Sequence, residues 1–229
     1  MEVRDRLALA LDVDDLVVAL RMARRLQPWF GVVKVGLELF TAAGPDAVAS
    51  MLNADFKVFL DLKLHDIPTT VRKSARVVGA FGASYLTLHA HGGSVMVRAG
   101  VDGLNEGAAA AGLPPPKAIA VTILTSDADA PAHILGRRVV TAVEGGCNGL
   151  VCAATDVREA KELAPRMIAV VPGIRLPHGE HHDQARAATP QEALAAGADL
   201  LVVGRAVTAA DDPAAAAAAL SEAVSAAQS

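Results

Sequence analysis

Runs of four to six Val-, Leu- and Ile-rich residues recur along the chain, separated by longer stretches in which apolar residues return at helical spacing. A short continuous apolar run suits a strand buried on both faces, and the intervening period suits a helix packed by one side. Eight strand-helix units can be counted, with predicted strands at residues 7–11, 32–35, 57–62, 85–89, 118–123, 149–152, 168–171 and 200–203. Alternating units of this kind build a parallel sheet. Eight of them in 229 residues predict an α/β fold of the (β/α)8, or TIM barrel, class. The rival is an open doubly wound sheet, which would carry a glycine fingerprint after its first strand. That place reads Leu11-Asp12-Val13-Asp14-Asp15. No linker or break in composition divides the chain, so residues 1–229 are expected to form one barrel domain.

Composition narrows the function classes. The chain is 52% hydrophobic with 3% aromatic residues, enough for a large core. A net charge of -4 and a pI near 6.0 leave no basic field, and no aromatic residues interleave with basic ones, which argues against polymeric nucleic acid as a partner. The apolar runs are shorter than a membrane span and the first residues lack a signal-peptide pattern, so the expectation is a soluble, cytoplasmic protein. Cys147 and Cys152 show neither metal-ligand nor redox spacing and read as free buried thiols. Asp212-Pro213 ahead of an alanine run reads as a capped terminal helix.

The chemistry concentrates in residues 59–70, Phe-Leu-Asp-Leu-Lys-Leu-His-Asp-Ile-Pro-Thr-Thr. In a regular strand Asp61 and Lys63 project to one face and the leucines to the other. Asp66 follows in the turn, and Pro68 suits the first position of a helix. A structural ion pair at a strand end is the plain alternative. Against it, the chain has six lysines to fifteen arginines, yet Lys34 and Lys63 both sit inside apolar segments. Burying such charges costs several kcal/mol unless they are paired, an expense met more often at a site than in a scaffold.

In a barrel the strand ends share one rim, where active sites of this fold lie. The rim would gather Asp12, Lys34, Asp61, Lys63, His89, Thr122 or Thr125, Arg175 in Pro172-Gly173-Ile174-Arg175, and Gly204-Arg205. Glycine for close backbone approach, an arginine fork and a helix start after strand eight read as a phosphate site, which Arg175 reinforces. The alternative is an arginine capping a loop. His178-Gly-Glu-His-His-Asp183 reads as a mobile, solvated lid rather than a metal site, and His89 and His91 as packing and hydrogen-bonding groups. Thr69, Arg72, Lys73 and Arg76 are expected on the solvated face of the helix after strand three.

Taken together, Leu9-Ala-Leu-Asp12, Lys34-Val-Gly36, the 59–68 block, Val121-Thr-Ile-Leu-Thr125, Pro172-Gly-Ile-Arg175, Asp183-Gln184 and Val203-Gly-Arg205 resemble the blocks of the orotidine 5′-phosphate decarboxylase family, bacterial type, in order and across nearly the whole chain. The resemblance implies a cofactor-free barrel that converts orotidine 5′-phosphate to UMP and carbon dioxide in de novo pyrimidine synthesis, as a homodimer with shared active sites. It assigns Asp12, Lys34, Asp61, Lys63, Asp66, Ile67, Thr70, Thr125, Arg175, Gln184, Gly204 and Arg205 to the nucleotide, with Lys34, Asp61, Lys63 and Asp66 as a catalytic Lys-Asp-Lys-Asp network and no metal. Asp66, Ile67 and Thr70 would reach the partner subunit's site. The chain departs from the family pattern in the 176–182 loop and at Thr69, where the family often has Asn.

The chemistry fits these residue types. Loss of carbon dioxide from an sp2 ring carbon leaves an electron pair in the ring plane with no carbonyl sink beside it, so a fixed cation is required. Lys63, between carboxylates that favour its charged form, can be that cation and can then deliver the proton. Three rivals remain. A Mg2+-dependent sugar-phosphate decarboxylase or synthase of the same barrel group shares the Asp-x-Lys-x-x-Asp turn, but typically has an acidic residue where this chain has Lys34. A Schiff-base aldolase needs a neutral amine in apolar or cationic surroundings. A non-catalytic nucleotide-phosphate sensor would need Arg175 and Arg205 and no costly charge network.

Overall fold

The computed structural model describes residues 2–127, 130–131, 133–176 and 187–227. Eight strands, β1 (Leu7–Ala10), β2 (Val32–Val35), β3 (Lys57–Leu64), β4 (Tyr85–His89), β5 (Lys117–Val121), β6 (Gly149–Val151), β7 (Ile168–Val171) and β8 (Leu200–Val203), close a parallel barrel in chain order. β8 returns to pair with β1, so the sheet has no open edge. The closed barrel is the α/β class expected from the strand-helix alternation. β2, β4, β7 and β8 have the bounds read from the sequence, β1 and β6 stop one residue sooner, β3 runs on to Leu64, and β5 starts and ends earlier.

Two apolar layers follow from residue size at alternate positions. In β1, Leu7 and Leu9 point outward beneath the helices, while Ala8 and Ala10 point into the barrel. The interior is filled by Val32, Phe59, Ile119, Val170, Leu200 and Val202 around those alanines. Phe59 meets Tyr85 edge-on at 5.7 Å, so large rings occupy the space that the small β1 side chains leave. Outside, the helix Leu16–Leu26 buries Ala19, Ala23 and Leu26, one stripe of a 3.6-residue period.

Capping sets where the helices begin. The Asp15 carboxylate accepts from the Val18 N–H, Thr189 and Glu192 form a reciprocal capping box, and Asp212 accepts from Ala214 and Ala215 at the start of Pro213–Ala226. The helix Pro190–Ala196 ends at Gly197 with φ 106°, a left-handed cap for which glycine is suited.

One strand departs from regular geometry. Leu60 pairs with Leu86 and Leu64 with Leu88, so Asp61, Leu62 and Lys63 stand opposite the single residue Thr87. Lys63 takes φ 51°, in the left-handed region that costs a side-chain-bearing residue roughly 1–2 kcal/mol. The expected alternation of faces holds, with Asp61 and Lys63 on the cavity side and Leu62 and Leu64 against the outer layer, while the pairing with β4 is irregular. β3 bulges where it reaches the rim, and a bulge re-aims the side chains it carries.

Candidate active site

Because all eight strands run parallel, their C-terminal ends form one rim. A cavity of about 260 Å³ opens there, bounded below by Phe59, Val170 and Val202 of the barrel interior. Its wall gathers Asp12, Lys34, Asp61, Lys63, Thr125, Arg175, Gly204 and Arg205, which lie far apart in sequence.

The charged groups alternate in sign along the wall. Lys34 Nζ lies 2.9 Å from Asp12 Oδ1 and 3.8 Å from Asp61 Oδ2, and Lys63 Nζ lies 2.8 Å from Asp61 Oδ2. The Lys34 and Asp61 side chains are only 12% and 13% exposed. Charges this secluded persist because each faces an opposite charge, and removing one would strand the others. Lys34 comes up from β2 in register with Ala10 on one side and Phe59 on the other. Gly36 keeps the pair close, since a β-carbon there would stand 3.0 Å from Lys34 Nζ and 3.3 Å from Asp12 Oδ1.

Further positive charge comes from the ends of β7 and β8. Arg175, buried to 6% exposure, donates through its guanidinium to the Ile174 carbonyl, and its backbone N–H bonds Ala188 O. Arg205 opens a helix of one turn, Arg205–Thr208, directly after β8, which is the helix start expected at that place. The two arginines and Gly204, all lining the cavity, are groups that can attract an anion. Thr125 lines the cavity, whereas Thr122 is fully buried and donates to the Val151 carbonyl.

Asp66, Ile67 and Thr70 lie outside this cavity. All three are exposed, and the Asp66 carboxylate accepts from the Ile67 N–H at 2.7 Å, bracing the turn into the helix Pro68–Gly79. Gln184 and the segment 177–186, which carries His178, His181 and His182, fall outside the described residues. Thr69, Arg72, Lys73 and Arg76 are exposed, and Arg72 pairs with Glu106 on the neighbouring helix.

Beside the charged wall, His65, His89 and His91 pack ring to ring, with centroids 5.4 to 6.2 Å apart. His89 Nδ1 accepts from the His91 N–H, and Arg138 donates to the Thr122 carbonyl and reaches the His91 ring. Burial, then the charges of Arg138 and the neighbouring histidines and Lys63, push His89 down to about 4. Among the described residues no three His, Cys, Asp or Glu side chains are placed to hold a metal ion together. Both cysteines are reduced, and burial raises the Cys147 thiol to about 12, too high for a reactive thiolate.

One polar residue beside the charged wall was not singled out in the sequence. Thr87, between Leu86 and Leu88, is fully buried and hydrogen-bonds both Asp61 and the Lys63 backbone. A hydroxyl between two leucines, on the strand face it shares with Tyr85 and His89, was the signal that could have found it.

Comparison with known proteins adds the lineage. Residues 5–220 match the model of the orotidine 5′-phosphate decarboxylase / HUMPS family. The orotidine 5′-phosphate decarboxylase of Moorella thermoacetica is 42% identical over 232 residues, covering 96% of this chain and 92% of that protein. That of Anaeromyxobacter dehalogenans (strain 2CP-1) is 44% identical over 231 residues, covering 96% and 98%. The crystal structure of orotidine 5′-phosphate decarboxylase from Lactobacillus acidophilus superposes with a TM-score of 0.82 at 35% identity, covering 96% of this chain and 99% of that one.

Proposed function

The chain belongs to the orotidine 5′-phosphate decarboxylase / HUMPS family, and from that membership we propose that it decarboxylates orotidine 5′-phosphate to UMP and carbon dioxide, a step of de novo pyrimidine synthesis, without a cofactor. The observation that carries this reading is the row of alternating charges ending in Lys63, set in one cavity with Arg175 and Arg205. Such a cavity offers cations to a phosphate and a further cation to a charge that develops during reaction.

In this mechanism the bond between C6 and the carboxyl carbon breaks heterolytically. Carbon dioxide departs, and the electron pair stays on C6 in the ring plane. The Lys63 ammonium stands where the charge develops, and Lys63 Nζ then transfers a proton to C6, giving UMP; solvent restores the proton to the amine. Its fixed ion pair with Asp61 means that little reorganisation is needed at the moment of reaction, the condition under which preorganised charge is most effective. Asp61 sits next to the departing carboxylate and disfavours it before cleavage. Lys34 holds Asp61 in place, while Asp12 and Thr125 meet the nucleoside and Gly204, Arg205 and Arg175 its phosphate.

The Asp66, Ile67 and Thr70 side chains complete the site of a second copy in a homodimer, so that Asp66 closes the Lys-Asp-Lys-Asp network across the interface. Their place on the outer rim and the 66% exposure of Ile67 support this assignment. Gln184 is assigned to the nucleotide by family resemblance. With ammonium groups on both sides of Asp61, a divalent cation at that carboxylate would be repelled, which disfavours the Mg2+-dependent reading.

The test is turnover of orotidine 5′-phosphate by purified protein in excess chelator, followed by loss of substrate absorbance and appearance of UMP. Sustained turnover is expected. Binding of UMP with no conversion would indicate a sensor, and a chelator-sensitive activity on a sugar phosphate would overturn the proposal in favour of the metal-dependent relatives.

A further inference from the structure

Thr87 joins the two groups on which the proposed reaction depends. Its side chain is fully buried in β4 and does not line the cavity. The hydroxyl oxygen accepts from the Lys63 backbone N–H at 2.8 Å, and the hydroxyl donates to Asp61 Oδ1 at 3.0 Å. Asp61 Oδ2, the other oxygen, faces Lys63 Nζ at 2.8 Å and Lys34 Nζ at 3.8 Å. One hydroxyl therefore decides which edge of the carboxylate is turned to the ammonium groups. It also anchors the residue that holds φ 51° at the end of the bulge.

The location explains why a side chain does this work. Where three residues of β3 stand opposite one of β4, the backbone ladder between Leu60 and Leu64 is interrupted. A part-buried N–H left without a ladder partner there is satisfied by the Thr87 hydroxyl. A threonine has one proton to donate and two lone pairs, so accepting from Lys63 while donating to Asp61 leaves the hydroxyl no freedom to turn. The buried, branched side chain is further restrained about χ1.

We infer that Thr87 is a positioning residue for the reaction: its hydroxyl pins the Asp61 carboxylate and the Lys63 backbone to one point on β4, and so sets the direction of the Lys63 ammonium towards the reacting carbon. The inference rests on the decarboxylase reading. A positioning role acts on turnover far more than on binding, because the phosphate and nucleoside are assigned to Asp12, Thr125, Arg175 and Arg205 instead.

The test compares Thr87→Val, which keeps the shape and removes the hydroxyl, with Thr87→Ser, which keeps the hydroxyl. For Thr87→Val, kcat is expected to fall about a hundredfold, the scale of an ångström-sized misplacement, with KM and the affinity for UMP changed less than about threefold. Thr87→Ser should retain most of the wild-type kcat. If Thr87→Val is too unstable to purify, Thr87→Cys against Thr87→Ser makes the same contrast at nearly equal volume. Wild-type kcat in the hydroxyl-free variant overturns the inference, as does an equal loss in the Ser and Val variants. If the wild-type protein itself turns nothing over, the decarboxylase reading has failed and the positioning role is decided by structure. A crystal structure of Thr87→Val in which Lys63 keeps its left-handed backbone and its contact with Asp61 would then overturn it.

Discussion

Lys63 combines a functional assignment with a backbone that few side chains adopt. Replacing it by alanine should lower kcat by roughly 10² to 10⁴-fold or more, the range for removal of a positioned proton donor, while UMP still binds. A minor loss of turnover would end its role as proton donor. Its φ of 51° makes a second, independent expectation. Lys63→Gly and Lys63→Ala both remove the ammonium, but only glycine enters the left-handed region without steric cost, so the glycine variant should be the more stable of the two by about 1 kcal/mol in urea denaturation. Equal stabilities would mean that this conformation carries no strain. His89 makes a third expectation. Its ordinary value of 6.5 is lowered to about 4 in the folded protein, so the unfolded chain takes up the proton first as the solution is acidified. The stability owed to neutral His89 is full above about pH 6.5 and is lost as the pH falls towards 4. An Asn at this position keeps an acceptor for the His91 N–H and does not titrate. The melting temperature of His89→Asn should therefore drop less between pH 7 and pH 5 than that of the wild type, and parallel drops would refute the linkage.

At the scale of elements, the placement of Asp61 and Lys63 on the rim depends on one strand, β3, that is regular below and irregular above. β3 is a regular strand through Leu60, where Val58 and Leu60 pack outward and Phe59 inward, and it carries the cavity charges Asp61 and Lys63 where it bulges. The turn at Asp66 then leads into Pro68–Gly79, which packs unusually close to Gly93–Ala110. A β-carbon on Gly103 or Gly107 would overlap the carbonyl oxygen of Arg72 or Arg76, and one on Gly79 would overlap that of Leu104. Gly107→Ala thus sets two effects against each other. Helix propensity favours alanine by about 1 kcal/mol, whereas forcing the helices apart costs about 1–3 kcal/mol. Net destabilisation is expected, read as a lower urea midpoint with an unchanged slope. A raised midpoint would show that the helices separate freely.

For the molecule as a whole, the proposed assembly decides where a complete site exists. Asp66 is exposed at the rim and braces its own turn, away from the cavity that holds Lys63. If it serves a second copy, Lys63→Ala and Asp66→Ala homodimers are both impaired, yet a mixed dimer contains one site lacking both groups and one lacking neither. Mixing the two variants and allowing subunits to exchange should restore activity, to about half of the wild-type complement per mixed dimer. Mixed dimers that form without regaining activity would place Asp66 in its own chain's site. Among the described residues no helix is long and apolar enough to cross a membrane.

The sequence by itself determined the barrel, because buried parallel strands and one-sided helices leave different periods in the chain, and eight repeats of the pair admit few closed arrangements. It also marked Lys34 and Lys63 as costly charges in apolar runs, and the strand ends as the place where they would meet Asp12, Asp61, Arg175 and Arg205. Only the tertiary structure decided how they meet. The bulge in β3 and the left-handed backbone at Lys63 depend on a neighbouring strand that stands one residue opposite three, a register that no local pattern encodes. The part played by Thr87 was hidden for the same reason, since its two partners come from a different strand, 24 and 26 positions away along the chain. The low value of His89 likewise arises from burial and from charges brought in by Arg138, His65, His91 and Lys63, which only folding places around it.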